Sequence, residues 1–302
     1  MLDADDVRSA VSMPAAVDAV REAFLDLAAG RFVVPQRLSF GGGTTLVMSA
    51  CHTPSSTTVV KTLNLAPGRT PMILGTLVWN TAAGQVVADA VEVTALRTGA
   101  VSGVATDLLA PAGASRLALL GTGAQAADQV RAVAAVRPVR SLAVFGRDRE
   151  RAQAFTARLG SEFPEVVTRV APFAADAVSD AEIVCCATSS STPLFPAEAL
   201  PERVHVNAIG SYLPSMRELP AELLRTASCV VVDQVDAALE EAGEVIHAVD
   251  TGLLERAGLL ELGHALRTPP AATGRTVFKS VGLAVQDWAL ARLLGADRES
   301  VD

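Results

Sequence analysis

Residues 116 to 129 read Arg-Leu-Ala-Leu-Leu-Gly-Thr-Gly-Ala-Gln-Ala-Ala-Asp-Gln, and the order of residue types along them decides the fold. A short apolar run, Leu117 to Leu120, stops at Gly121, passes Gly123 and enters an Ala-rich segment that reads as helix through Val136. Strand, tight turn and helix therefore follow one another. Gly121 can take the positive φ such a turn needs, and Gly123 lets the backbone approach a pyrophosphate with no Cβ in the way. Ala126 in the third position permits close packing of helix on strand. The unpaired N–H groups at the helix start, around Ala124 and Gln125, and the positive end of its dipole would face the phosphates. A second strand, Ser141 to Phe145, comes at the distance of a βαβ unit, which is the context a glycine fingerprint requires. An ordinary β-turn-α connection is the competing reading.

From Pro111-Ala112-Gly113 onward, strands and helices alternate. Strand-like runs at Ser141 to Phe145, Val166 to Val170, Ile183 to Ala187, Val204 to Ile209 and Cys229 to Val232 succeed the first, with a helix from Arg149 to Leu159. Alternation of this kind predicts a parallel, doubly wound sheet. The stretch after Asp233 reads as helical as far as Thr268-Pro269-Pro270.

The region before 111 has another character. Pro14 opens a helix carrying Val17, Val20, Phe24 and Leu27 at spacings of three and four, and Gly30 ends it. Short strand-like runs come next at Leu38 to Phe40, Thr44 to Ser49, Thr57 to Leu65, Ile73 to Trp79 and Gln85 to Ala88. The last two are joined by a hairpin at Thr81-Ala82-Ala83-Gly84. A helix from about Val93 to Leu109 is rich in small residues, and a last helix is expected from about Phe278 to Leu294. The expected architecture is α/β. A Rossmann dinucleotide-binding domain over 112–275 is inserted into an α+β substrate-binding and dimerisation domain made of 1–111 and 276–302.

Composition fits this picture. At 302 residues the chain is long for a single core. Half of it is apolar and only 4% aromatic, so its cores are built from Val, Leu and Ala, as suits buried parallel strands under Ala-rich helices. A formal net charge of −8 with no basic run argues against a nucleic-acid partner and leaves small molecules. The start, Met-Leu-Asp-Ala-Asp-Asp, lacks the cations of a signal peptide, and no apolar run is long enough for a bilayer, so a cytoplasmic protein without membrane contact is expected. Cys51, Cys185, Cys186 and Cys229 show no metal-ligand spacing, and no metal is expected.

Three places carry candidate chemistry. The second strand of the βαβ unit ends in Phe145-Gly146-Arg147-Asp148-Arg149, where a dinucleotide domain meets the adenosine ribose. An acidic residue at the strand tip favours NAD, whereas Arg favours the 2′-phosphate of NADP. Gly146 and Arg147 come first here and Asp148 after, which favours NADPH and leaves NADH open; a solvated charged turn is the bland alternative. Ala187-Thr188-Ser189 leaves the carboxyl end of another strand, where backbone amides and hydroxyls meet a ligand. Arg37, Lys61 and Arg97 lie in or beside apolar strands and a packed helix, where a cation is costly unless an anion meets it. Singly each reads as a snorkelling surface residue; together they make a carboxylate pocket.

These motifs converge. Pro35-Gln36-Arg37, Val60-Lys61, Thr94-Ala95-Leu96-Arg97-Thr98-Gly99-Ala100, Gly121-Thr122-Gly123-Ala124-Gln125-Ala126, His205-Val206-Asn207-Ala208-Ile209-Gly210-Ser211, Arg217-Glu218-Leu219 and Val277-Phe278-Lys279-Ser280-Val281-Gly282 stand in an order that resembles the ornithine cyclodeaminase/mu-crystallin family. The resemblance implies a homodimer with a discontinuous first domain. It implies that Arg37, Lys61 and Arg97 bind a substrate carboxylate, that Arg97 also meets the cofactor, and that Ser280 and Val281 lie by the nicotinamide end of a dinucleotide.

The departures from the family pattern point to one branch. Where the cyclodeaminases carry an Asp two residues after the glycine of Asn-Ala-x-Gly, this chain has Tyr212, its only tyrosine, and Val47-Met48 replaces a Glu in an earlier strand. Ser211 and Arg217-Glu218-Leu219 resemble the ketimine reductase branch instead. The expected function is NAD(P)H-dependent reduction of a cyclic ketimine carboxylate, with Lys61 and Tyr212 as the groups nearest the chemistry. The alternatives are an ornithine cyclodeaminase or related amino-acid dehydrogenase, and an NADPH-dependent ligand-binding protein of mu-crystallin type.

Overall fold

The computed structural model describes residues 1–65 and 73–299. The chain begins with α1 (Ala4–Ala10), where Asp3 and Asp6 cap each other's backbone N–H groups at 2.9 and 3.1 Å. α2 (Met13–Ala28) starts at Ser12 with Pro14 in its first turn and buries Val17, Val20 and Phe24. Six strands come next: β1 (Phe32–Val33), β2 (Leu38–Phe40), β3 (Thr45–His52), β4 (Thr57–Leu65), β5 (Ile73–Thr81) and β6 (Gly84–Asp89). They form one antiparallel sheet in the order β1-β3-β4-β5-β6, with β2 also on β3. On β4 the odd-numbered residues Val59, Lys61 and Leu63 point into the core and the even-numbered ones point away.

α3 (Ala90–Leu109) leads into β7 (Arg116–Leu120), α4 (Ala126–Val136), β8 (Ser141–Phe145), α5 (Arg149–Glu162), β9 (Val167–Val170), α6 (Ala174–Val178) and β10 (Ile183–Cys186). The chain then runs through β11 (Val204–Ala208), α7 (Ala221–Thr226), β12 (Cys229–Val232), α8 (Val235–Glu241), α9 (Gly243–Asp250), β13 (Leu259–Glu261), α10 (Leu262–Arg267), β14 (Arg275–Lys279) and α11 (Ala284–Glu299). The eight strands from β7 onward form a wholly parallel sheet in the order β13-β12-β14-β11-β10-β7-β8-β9. Its two faces carry separate cores. Leu117, Leu119, Leu142 and Ile183 pack with α4 and α5, while Ala118, Leu120, Val184 and Cys186 pack with helices of the other face. Burial on both sides is why these strands read as unbroken apolar runs.

The chain divides into two compact units, residues 1–101 with 283–302, and residues 102–282. The divisions fall within α3 and after Gly282 rather than at 111/112 and 275/276. The expected last helix is corrected here: residues 275–279 are β14, hydrogen-bonded to β11 on one side and β12 on the other, and the helix begins at Ala284. Val277 and Phe278 are buried in a central strand, and a short apolar run buried all round carries no period to separate strand from helix. In the first unit α11 lies against β4 and α2. Its Gly295 is required there, since a Cβ at that position would fall 2.0 Å from the Trp79 ring.

A polar line crosses the interior of the parallel sheet. Asn207 donates to Thr106 Oγ1 at 2.9 Å, so its carbonyl oxygen accepts from Nε2 of His205 at 3.0 Å, and His205 Nδ1 meets the Thr276 hydroxyl at 2.9 Å. Burial pushes the His205 pKa down to about 4, against the opposing pull of the Asn207 hydrogen bond. The folded protein thus holds this ring neutral while the unfolded chain protonates it near 6.5. The contribution to stability is complete above pH 6.5 and is lost as pH falls toward 4, to a limit of about 3 kcal/mol. Urea titrations at pH 7 and pH 4.5 should show a loss in the natural protein that is smaller, by about the uptake of one proton, in His205→Gln. Equal pH slopes would remove His205 from the account.

Candidate active site

In the parallel sheet the strand order reverses between β7 and β10, the switch point at which open α/β sheets place ligands beyond their carboxyl ends. The turn after β7 lies there. Gly121 has φ +111°, and a Cβ on it would meet the Ala187 carbonyl at 2.4 Å, so the turns after β7 and β10 cross at a distance only glycine allows. Gly123 is the contrasting case: a Cβ there meets nothing within 4 Å. The backbone N–H groups of Gly123, Ala124 and Gln125 donate to no group among the described residues and stand at the start of α4. An open glycine, free amides and a helix start fit a dinucleotide pyrophosphate.

The other candidate cofactor residues also lie at carboxyl ends of parallel strands. Gly146, Arg147 and Asp148 come after β8, Ala187, Thr188 and Ser189 after β10, Tyr212 beyond β11, and Ser280 and Val281 after β14. Asp148 is the N-cap of α5, its Oδ1 accepting from the Arg151 N–H at 3.0 Å, so this oxygen is committed to the helix. Arg147 is exposed. Arg151 was not evident as a site residue in the sequence; its guanidinium donates to the Thr122 carbonyl at 3.2 Å and brings a second cation beside the glycine turn.

Two buried carboxylates hold these loops. Glu218 Oε1 accepts from the Thr188 N–H at 2.6 Å and the Thr188 hydroxyl at 2.9 Å, and its Oε2 accepts from the Gly210 N–H at 2.7 Å and the Ser211 N–H at 3.3 Å. Burial raises the Glu218 pKa, and the Lys279 charge opposes that. Lys279 itself donates to the Ser211 carbonyl and hydroxyl at 2.6 and 2.7 Å and stands 3.3 Å from Glu244. Asp233 Oδ2 accepts from the Ser280 hydroxyl and the N–H groups of Val281 and Gly282 at 2.8 to 2.9 Å. The hydroxyls of Thr188 and Ser280 are therefore engaged by protein, which leaves backbone and hydrocarbon to face a ligand.

The antiparallel unit carries the cations. Lys61 is wholly buried, its Nζ 2.7 Å from Asp287 Oδ1 and 3.2 Å from the Thr94 hydroxyl. Arg97, also buried, donates through Nη1 to Gln286 Oε1 and has Nε 3.6 Å from the same Asp287 oxygen. Arg37, in the segment between β1 and β2, is close enough for its charge to act on Lys61. Met48 pairs with Lys61 across β3 and β4 and shares its face. Burial pushes the Lys61 pKa down to about 8; Asp287 raises it, and Arg97 and Arg37 lower it. Gln286 and Asp287 were missed in the sequence, where the only signal was a polar pair within the apolar run Leu283-Ala284-Val285 to Trp288.

A wholly parallel doubly wound sheet with a glycine turn at its switch point defines a protein of the dinucleotide-binding α/β class. More narrowly, the chain belongs to the ornithine cyclodeaminase/mu-crystallin family, whose model matches residues 1–300. It is 41% identical over 206 residues to a Delta(1)-pyrroline-2-carboxylate reductase of Bacillus cereus, a match covering 67% of this chain and 63% of that relative. A reductase of the same name from another Bacillus cereus strain is 33% identical over 312 residues, covering 97% of this chain and 95% of the relative. Among solved structures, the Thermococcus litoralis Delta(1)-pyrroline-2-carboxylate reductase in complex with NADH and L-proline superposes with a TM-score of 0.92 at 27% identity, covering 99% of this chain and 97% of that one.

The two glycines of the turn separate strain from ligand contact. Gly121→Ala meets both a positive φ and the Ala187 carbonyl, so it should destabilise the protein by about 2 kcal/mol or more and weaken dinucleotide binding. Gly123→Ala should leave thermal stability nearly unchanged and weaken dinucleotide binding alone. Calorimetric melts and cofactor titrations of both variants check this, and full cofactor affinity in Gly123→Ala would contradict it.

Proposed function

We propose that the protein is an NAD(P)H-dependent reductase of cyclic ketimine carboxylates, Δ1-pyrroline-2-carboxylate or its six-membered homologue Δ1-piperideine-2-carboxylate, giving the cyclic amino acid. The observation that carries this is the convergence of charged groups on the buried Lys61. Lys61 and Arg97 are buried about one carboxylate, that of Asp287, with Arg37 acting on the same centre. Cations converging on one buried centre are the chemistry that receives a carboxylate, and a carboxylate next to a C=N carbon is the handle the reaction offers.

Arg37, Lys61 and Arg97 hold that carboxylate and so fix the ring. Met48, beside Lys61, keeps the neighbourhood free of a second carboxylate. A cyclic imine arrives already protonated by solvent, so reduction needs no strong side-chain acid, and Tyr212 serves as a wall of the site or a weak donor. A bound dinucleotide supplies hydride to the C=N carbon. Gly121, Gly123, Ala124 and Gln125 bind its pyrophosphate, Arg147 binds the ribose 2′-phosphate, Ala187, Thr188 and Ser189 line its path, and Ser280 and Val281 border the nicotinamide. With the Asp148 oxygen committed to α5, NADPH is preferred and NADH is accepted.

The molecule is a homodimer in this reading. Val33, Leu38, Phe40, Val60 and Leu74 are exposed on the sheet face opposite Lys61, and a second copy would cover them. Its four free cysteines suit the reducing cytoplasm.

Steady-state kinetics test the proposal. NADPH should be oxidised with either cyclic imine, and Arg97→Ala should raise KM about tenfold or more and lower kcat, because a loosened carboxylate also misplaces the carbon. Arg147→Ala should lower the NADPH-over-NADH ratio by about ten- to a hundredfold. Ornithine with catalytic NAD should yield neither proline nor ammonia. No turnover of either imine by protein that binds NADPH would move the reading to a ligand-binding protein, and unchanged kinetics in Arg97→Ala would refute the carboxylate pocket.

A further inference from the structure

We propose that Asp287 is a positioning residue that keeps the Lys61 ammonium charged and aimed, and that this pair sets the upper pH limit for binding the substrate carboxylate. The inference rests on the proposed function only in taking the ligand to be a small carboxylate.

The geometry leaves Lys61 one free donor. Thr94 gives its own hydroxyl proton to the Ala90 carbonyl at 2.6 Å, so toward Lys61 it can only accept. Asp287 Oδ1 takes a second ammonium proton, and the third has no partner among the described residues. The two bonds fix the direction of the third. Asp287 Oδ1 also faces Arg97 Nε, while Gln286 takes Arg97 Nη1, so two consecutive residues of α11 orient both cations. Asp287 Oδ2 is buried and accepts no hydrogen bond from the described residues, so Asp287 acts through its charge and through the single oxygen shared by the cations.

The charged groups acting on Lys61 are Asp287 from α11, Arg97 from α3 and Arg37 from the segment between β1 and β2. Burial and both guanidiniums favour the neutral amine, and Asp287 alone opposes them. Lys61 therefore loses its proton near pH 8, and without Asp287 it loses it at lower pH. A neutral amine still donates a hydrogen bond but no longer neutralises a carboxylate.

The test uses pyrrole-2-carboxylate, a planar five-membered ring carrying the same carboxylate, which does not titrate between about pH 6 and 9 and so isolates the protein's own groups. Its binding to the full chain is measured by calorimetry across that range. In the natural protein Kd should be flat below pH 8 and rise by up to about tenfold per pH unit above it. In Asp287→Asn the break should move down by at least about one pH unit, with Kd at pH 7 raised about twofold or more; Asp287→Glu should largely restore it. Lys61→Arg, whose guanidinium does not titrate in this range, should bind with no break at all, and this arm stands if Asp287→Asn fails to fold. An unchanged break in folded Asp287→Asn, or a break that persists in Lys61→Arg, overturns the inference and leaves the reductase reading intact. No binding of the anion at any pH overturns both.

Discussion

The bond from Lys61 Nζ to Asp287 Oδ1, 2.7 Å long and spanning 226 positions of sequence, is the constraint on which the organisation of the chain depends. Both side chains are wholly buried, and a buried ion pair is a poor source of net stability because desolvation offsets the attraction. Removing one partner is another matter, costing about 3 to 5 kcal/mol by leaving a charge unpaired in the core. The pair thus enforces one placement of α11 on β4. Trp288 adds a bond from its indole N–H to the Thr57 hydroxyl at 2.8 Å, and Gly295 receives the Trp79 ring. With both ends of the chain committed to the antiparallel unit, residues 102–282 are an insertion by necessity, and their sheet completes itself separately.

That sheet uses carboxylates in the same way. Glu218 ties the loop after β10 to the turn after β11, and Asp233 gathers three donors from the turn after β14, so that the carboxyl ends of these strands become fixed geometry. Hydrogen bonds from backbone N–H to an ionised, buried oxygen are among the stronger polar contacts available. Their effect is to spend the polarity of Thr188 and Ser280 on the protein itself. At the other end of α3, Arg137 does the complementary work, its guanidinium donating to the carbonyls of Thr106, Asp107 and Ala110 around the last turn of that helix.

The chemistry inherits a division of labour from this arrangement. The cluster around Lys61 offers orientation and charge, with the apolar Met48 as its cross-strand neighbour. Such a site suits a reaction whose electrophile comes from solution already activated and needs only to be held still.

The sequence by itself determined whatever local rules dictate. The turn at Gly121 needs a positive φ, the alternation of apolar runs with Ala-rich segments needs a parallel sheet, and cations at Lys61 and Arg97 within apolar surroundings need an anion; each was legible within a dozen residues. The tertiary structure alone decided the rest. Residues 275–279 are a strand because β11 and β12 flank them, although their apolar run has no period of its own. Asp287 and Glu218 look like ordinary helix and loop carboxylates until Lys61, 226 positions away, and Thr188, 30 positions away, are brought to them. Local backbone preference is written in neighbouring residues, whereas the partner of a buried charge is fixed only by the packing that excludes water from both.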